Sequence, residues 1–521
     1  MRFGVACDEN RALTTPSHSD ENGIAHRTRR GISWNLIGAI ATNAARLVSV
    51  AVLGRVLERH DFGVVAAALS VLLVVHQLRD LGIGAALVQR ADLDREHVST
   101  AFAFSIYLGC VLGLVVVVAA PLIGALYKIS DSIDVLRALG LLFVFRGLST
   151  VPLMMCRRAM NFRAIAAVDT GTYTGGTIVT LTLAINGAGP WSLVAGYLTE
   201  EALSAACYLY LQPPKLSLRI DRTRLRDLLG FGVGHTVVQV ANILAIHGDN
   251  FVVGRTLGAD ALGFYTRAYE LIKLPASVFT NVVGNVLLPA FSRLQNDRER
   301  LAMAFRRATL VNALVLLPAS AALIAIAPEA IRVVMGEQWD DAVLPFRILA
   351  LSMLMRTSYK VGATIAAAAG SVYAVAVANI VYMVSVIAGA AFTIRWGVPG
   401  VAASTAVAIV VVYLHCSYLA MRVAAVSPRD FLAAHAPGCA IAVIVGCASW
   451  PAAEALRSAG SPSAVTFAAI GLFGVAIVIA ACVAWLRPNR GARSPLAIDA
   501  GWLREEISQL LRRVRRRRDS G

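Results

Sequence analysis

Charge is what this sequence has least of. Asp, Glu, Lys and Arg together make up 15% of its 521 residues, against about 25% in soluble domains. With 57% apolar residues, there is too little polar surface to coat several soluble domains, and a disordered chain or a disulfide framework is excluded as well. Lysine occurs only at Lys128, Lys215, Lys273 and Lys360, and none precedes Ser or Thr, so there is no Walker A loop. HExxH and GxSxG are missing too. The eight cysteines form no CxxC pair, and most lie inside apolar runs, where they read as small packing residues. Asp92-Leu93-Asp94 has a DxD form but sits in a short link with no nucleotide-sugar domain around it. No polar insertion is large enough to house catalysis. The chain is not expected to be an enzyme, and neither a metal nor a cofactor is indicated.

What is present is a succession of apolar runs long enough to cross about 30 Å of hydrocarbon as helices. Fourteen spans are predicted: 32–54, 62–88, 98–126, 134–156, 165–186, 190–211, 228–254, 261–290, 303–327, 342–367, 372–394, 398–421, 432–453 and 463–486. The second is interrupted by Arg79-Asp80 and the eighth by Pro275. Residues 1–30 are polar, without the apolar region of a secretory signal, and read as a disordered cytoplasmic tail. Residues 487–521 are strongly basic. Trp502, Leu503, Ile507, Leu510, Leu511 and Val514 share a helical face opposite Arg504, Arg512 and Arg513. That tail is either an amphipathic helix on anionic inner-leaflet lipids or a solvated basic segment.

The net charge of +16 does not point to nucleic acid, because the arginines lie in short links between apolar runs. With the N-terminus inside, the cytoplasmic links and the first tail hold 20 basic residues. The outer links hold 7: Arg55, Arg59, Lys128, Arg255, Arg332, Arg395 and Arg457. The positive-inside rule then puts both termini in the cytoplasm.

An internal repeat organises the spans. Leu53-Gly54-Arg55-x-Leu57 with Gly63 recurs as Val253-Gly254-Arg255-x-Leu257 with Gly263. Asp94-Arg95-Glu96 recurs as Asp297-Arg298-Glu299, and Arg137-x-Leu139-x-Leu141 with Arg146 recurs as Arg347-x-Leu349-x-Leu351 with Arg356. The order is collinear. Each repeat holds six spans, an even number, so the copies enter the membrane in the same direction and are parallel. The predicted fold is therefore an all-α polytopic membrane protein of about fourteen helices. It comprises a tail at 1–30, a six-helix lobe at 31–215 and a second at 216–425. Two extra helices follow within 426–486, then the basic tail at 487–521.

Ionisable residues inside apolar runs are costly and are functional candidates by default. Arg46 lies in span 1; Arg267, Glu270 and Lys273 follow each other at i, i+3, i+6 in span 8. Span 4 carries Arg146, and span 10 carries its repeat equivalent Arg356 with Lys360 one turn on. Arg79-Asp80, Asp169, Glu200-Glu201 and Asp249 complete the set, Asp80 and Asp249 being candidates for an ion or gating role. Basic groups outnumber acidic ones among the central candidates, which suits an anionic ligand, and guanidinium forks match phosphate oxygens in pairs. The alternative is structural: Glu270 pairing with Arg267 or Lys273, and Arg137 or Arg347 snorkelling to an interface.

Several segments resemble the Wzx-like oligosaccharide flippases, above all the WzxC-type subgroup, within the multidrug/oligosaccharidyl-lipid/polysaccharide exporter superfamily. In the first lobe they are Gly31-Ile32-Ser33-Trp34-Asn35, Asp61-Phe62-Gly63, Asp80-Leu81-Gly82-Ile83-Gly84 and Ser99-Thr100-Ala101-Phe102. In the second they are Asp249 to Arg255, Leu262 to Tyr269 and Leu288 to Arg293. The resemblance covers about residues 31–425. It implies two lobes of the kind shared with multidrug exporters, moving a polyprenyl-diphosphate-linked glycan to the outer leaflet by alternating access. A cationic central cavity would hold the diphosphate, with Arg46, Arg267 and Lys273 able to play that part. Polysaccharide polymerase or export machinery would be its partners. The rivals are a multidrug or other lipid-precursor exporter of the same superfamily, and a membrane polymerase or ligase. The first would favour acidic and aromatic cavity residues; the second would carry a large outer loop.

Overall fold

A computed structural model describes residues 45–80, 83–90, 92–214, 219–229, 233–282 and 297–486. Both predicted tails lie outside these residues, as do the first part of span 1 and the Leu288 to Arg293 segment. Every regular element among the described residues is a helix. In chain order they are α1 (45–56), α2 (Arg59–Asp80), α3 (Ile83–Gln89), α4 (Arg95–Tyr127), α5 (Ser132–Leu139) and α6 (Leu141–Arg158). Then come α7 (Phe162–Ile185), α8 (Pro190–Leu211), α9 (Arg222–Leu229) and α10 (Val233–Val282). The remainder are α11 (Arg298–Ala325), α12 (Ala327–Met335), α13 (Val343–Leu351), α14 (Met353–Ala368), α15 (Val372–Thr393), α16 (Gly397–Ala424), α17 (Pro428–Ser458) and α18 (Ser463–Leu486). Seven stretches of the described residues are long and apolar enough to cross a membrane by length and composition.

The helix ends have local causes. Asp94 caps α4 by accepting the His97 N–H at 2.7 Å, and its repeat equivalent Asp297 caps α11 by accepting the Arg300 N–H at 3.0 Å. Glu96 and Glu299 occupy the first turns of those helices. The repeated Asp-Arg-Glu is thus a helix start: a side chain satisfies an orphan N–H, and a carboxylate meets the positive end of the helix dipole. Helix includes Arg79 and Asp80 and is described again from Ile83, and it continues through Pro275 as far as Val282, so the interruption expected at Pro275 does not occur. The fourth and tenth spans each start as a short helix that breaks before the arginine, at Gly140 ahead of Arg146 and at Ser352 ahead of Arg356.

The seventh and eighth spans form one 50-residue element with a corner at Gly258, where φ is 86°. An L side chain is strained there and glycine is not. The corner falls 200 residues after Glu58, which separates α1 from α2. Both repeats therefore open with the same helix–corner–helix.

The described chain divides into two compact units. One comprises Met1–Glu270, Val334–Gly336 and Asn379–Thr405; the other comprises Leu271–Val333, Glu337–Ala378 and Ala406–Gly521. In the first, α3, α4 and α6 close on a core of Ile83, Leu87, Phe102, Val151 and Met155. The far side of α4 exposes Val111, Leu114, Val115, Val118 and Leu122, an apolar exterior that water would penalise and lipid does not. In the second, α17 lies along α11, joined by Leu310, Leu314, Ala434, Ile441 and Val445. Arg457 of α17 grips Glu329 of α12 with two hydrogen bonds, at 2.7 and 2.9 Å. Burial pushes the Glu329 carboxyl up, and the Arg457 hydrogen bonds more than offset it, holding it below its ordinary value.

Candidate functional site

The charged residues of the first unit meet on four helices. Arg46 on α1 places its guanidinium 5.6 Å from the ring centroid of Tyr173 on α7. Arg146 on α6 reaches Glu201 on α8, with Nε and Nη2 at 2.7 and 2.5 Å from the same carboxylate oxygen. Glu200, next in the chain, lies within electrostatic reach of Arg46, Arg146 and Glu201. Beyond the Gly258 corner, Arg267 Nη1 is 2.5 Å from Glu270 Oε2, and its guanidinium sits 4.2 Å from the Phe62 ring centroid. Tyr197 on α8 links the groups, being within reach of Glu270, Arg267, Glu200 and Tyr173.

The spacing i, i+3 brings Arg267 to Glu270 on one helical face, as expected from the sequence. The company of the other arginines is new. Glu200 and Glu201 stand with Arg46 and Arg146, so three guanidiniums meet three carboxylates, with Asp169 also within reach of Glu200, and the excess of positive charge expected from the sequence is absent from this group. One donor stays open: Arg267 Nε is buried and makes no hydrogen bond among the described residues. A guanidinium stacked on an aromatic ring, with one edge on a carboxylate and another N–H unanswered, is equipped to accept a second oxyanion.

Asp249 lies in the same unit but in a separate polar knot, 1% exposed. Its carboxylate accepts the Tyr265 hydroxyl at 2.6 Å, the Thr405 hydroxyl at 3.1 Å and the Asn250 N–H at 2.9 Å. The Asn250 amide donates to Ser70 on α2 at 3.2 Å. The fold-back at Gly258 explains the meeting of Asp249 with Tyr265: they sit at comparable distances before and after the corner. Tyr265 was within the Leu262 to Tyr269 segment, but Thr405 and Ser70 carried no signal, because neutral hydroxyls are common in apolar helices.

Lys273, Arg356 and Lys360 belong to the second unit. There Lys360 has the like-charged Arg356 as its electrostatic neighbour. The side chain of Asp80 lies outside the described residues.

The chain was compared with known proteins. A family model described as "Polysaccharide biosynthesis protein" matches residues 52–344. The chain is 24% identical to the lipopolysaccharide biosynthesis protein WzxC of Escherichia coli (strain K12), over 64% of this chain and 68% of that one. It is 28% identical to the succinoglycan biosynthesis transport protein ExoT of Rhizobium meliloti (strain 1021), over 63% and 66%. Among solved structures, the lipid II flippase MurJ in an inward closed conformation superposes with a TM-score of 0.70 at 13% identity, over 87% of this chain and 98% of that one.

Proposed function

This chain belongs to the polysaccharide biosynthesis protein family, and from that premise we propose that it moves a polyprenyl-diphosphate-linked oligosaccharide across the cytoplasmic membrane. It is a multi-pass membrane transporter and not an enzyme. Its relatives are named for lipopolysaccharide biosynthesis and succinoglycan transport, and the flippase MurJ shares its fold.

The observation that carries the substrate class is the arginine cluster, and in it Arg267 with its buried, unanswered Nε–H. A glycan alone gives no reason to keep guanidiniums inside a membrane, each costing roughly 2.5–3.5 kcal/mol at mid-depth on insertion scales. A diphosphate does. Its oxygens would take the open edge of Arg267 and compete with Glu200 and Glu201 for Arg46 and Arg146. The lobes at 31–215 and 216–425 would rock about the axis relating the repeats, with Lys273, Arg356 and Lys360 contributed by the second lobe. Both termini would face the cytoplasm, the basic tail at 487–521 would rest on anionic inner-leaflet lipids, and polymerase or export machinery would take the delivered glycan. Asp249 would serve coupling or gating.

Mass spectrometry of lipid-linked intermediates tests the reading. Depletion of the protein should accumulate a polyprenyl-diphosphate glycan on the inner leaflet, and an unchanged lipid-linked pool would overturn it. Reporter fusions in the 215–226 link should report cytoplasm and fusions in 329–341 the outer side; the same side for both would overturn the topology.

A further inference from the structure

The two corners make a reciprocal contact. A methyl group added at Gly63 would strike the backbone carbonyl of Ala259, and one added at Gly263 would strike the carbonyl of Arg59. Gly63 and Gly263 are repeat equivalents, and so are Arg59 and Ala259. Residue i of one copy thus meets residue j of the other, and j meets i, which is the signature of a two-fold axis. That axis passes between α2 and the second arm of α10, close to positions 60 and 260. On such an axis a position meets its own counterpart, and in an exact duplication like would face like.

Here the counterparts differ. His60 in one copy faces Asp260 in the other, Nδ1 to Oδ1 at 3.8 Å. The other ring nitrogen, Nε2, lies 3.1 Å from Asp131 Oδ2, in the link before α5. One imidazole therefore stands between carboxylates from two further links, immediately beside the glycine crossing. Asp131 also accepts the Ser130 hydroxyl at 3.1 Å, and its carboxyl is held below the ordinary range chiefly by the His60 hydrogen bond. Other charged groups on these links are Arg55, Glu58, Arg59 and Asp61 on the histidine's own corner, Lys128 before Asp131, and Arg255 on the opposite corner, which donates to the Leu126 carbonyl at 2.5 Å.

A neutral imidazole carries one N–H and presents a lone pair to one of its two carboxylates; an imidazolium presents N–H to both. Imidazole is also the side chain whose charge changes between about pH 5 and 8. We propose that the Gly63–Gly263 crossing is the closed mouth of the transporter on the side of the corners, and that His60 is its pH-responsive latch, holding the crossing shut when protonated and releasing it when neutral. The latch regulates the alternating access proposed above, and the corner links place it on the outer face. The sign follows from the charges: a proton on His60 adds an N–H and a positive charge between two carboxylates, so acid favours the closed crossing.

Positions 56 and 256 are exposed repeat equivalents, one on each corner. Spin labels carried there on unnatural amino acids leave the native cysteines in place and report the corner-to-corner distance by pulsed dipolar spectroscopy. In detergent, the short-distance population should be about two- to fivefold larger relative to the long one at pH 5.5 than at pH 8, the range that solvent-exposed ion pairs support. His60→Gln and Asp260→Asn should flatten that dependence, and Gly63→Ala should remove the short distance at both pH values. Equal wild-type distributions at the two pH values, or a His60→Gln variant that keeps the full wild-type dependence, would overturn the latch. No substrate is involved, so a pH-dependent, His60-dependent distance would stand even if the lipid-linked pool showed the transport reading to be wrong. In liposomes, acid on the face opposite the termini should suffice; a response only to acid on the termini side would overturn the outer placement.

Discussion

Arg146 and Arg356 are repeat equivalents, each in a helix that starts just after a break in its span, yet their surroundings have diverged. Arg146 has Glu201 at 2.5 Å; Arg356 has the ammonium of Lys360 as a near neighbour. The repeat offsets place residues 404–411 opposite Glu201, and that stretch contains no carboxylate. Backbone devices survived the duplication: the N-caps Asp94 and Asp297, the breaks at Gly140 and Ser352, and the corners at Glu58 and Gly258. Charge did not. Local geometry is needed twice to build two lobes, whereas the proposed diphosphate ligand would need no second identical set of charges.

The largest expected effect concerns Arg267, with its open guanidinium edge, and Arg46. Arg267→Ala and Arg46→Ala should each stop glycan export while leaving protein level and membrane insertion near normal. Arg→Lys should rescue only in part, since an ammonium keeps charge but loses the fork. Arg395, stacked on Phe392 and Trp396 at 4.5 and 4.4 Å in a link read as outer, should tolerate a neutral substitution in the same export assay. Normal export by both alanine variants would move the diphosphate to Arg146 and Arg356.

The first of the equivalent arginines is tested by thermal melting. Breaking a fully buried pair costs about 3–5 kcal/mol; the residual exposure of Arg146 (29%) and Glu201 (18%) puts Arg146→Ala below that range but clearly measurable. Adding Glu201→Gln should restore much of the loss, because no carboxylate is then left uncompensated. An Arg146→Ala loss that Glu201→Gln does not reduce would overturn the pairing of those two residues.

The corners offer a finer comparison. Gly258→Ala places a Cβ at φ 86°, ψ −176° and should cost about 1–3 kcal/mol, while Glu58→Ala, at the equivalent position without a positive φ, should stay within about 0.5 kcal/mol. The smallest effect is in the link before α13. Two hydrogen bonds from Arg332, at 2.8 and 2.7 Å, hold the Asp340 carboxyl below its ordinary value. Its contribution is present above the ordinary carboxylate range and is lost as pH falls below about 4. Asp340→Asn should cost no more than about 1 kcal/mol and remove that acid dependence from the melting curve.

Much of the helical framework was legible because its causes are local. Pro190–Leu211 and Ser463–Leu486 coincide with two predicted spans, since hydropathy and a starting proline or serine are written in consecutive residues. The corner at Gly258 was legible as a link. The breaks at Gly140 and Ser352 were not, because a break inside an apolar run leaves the hydropathy unchanged. Arg267 with Glu270 could be read from spacing on one helix. Arg46 with Tyr173, and Arg146 with Glu201, could not, because each pair joins different helices.

The sequence by itself determined that the chain is a membrane protein built from a duplicated set of helices, and which rare charges it keeps in apolar runs. Hydrophobicity, capping residues and repeat motifs act within a few turns, so no tertiary information is needed to read them. Only the tertiary structure decided how those charges are met: Glu201 on Arg146, hydroxyls on Asp249. In a medium that solvates no ion, an ionic group is defined by whichever neighbour the helix packing brings to it, and that neighbour lies anywhere from 3 to 156 residues away in the chain.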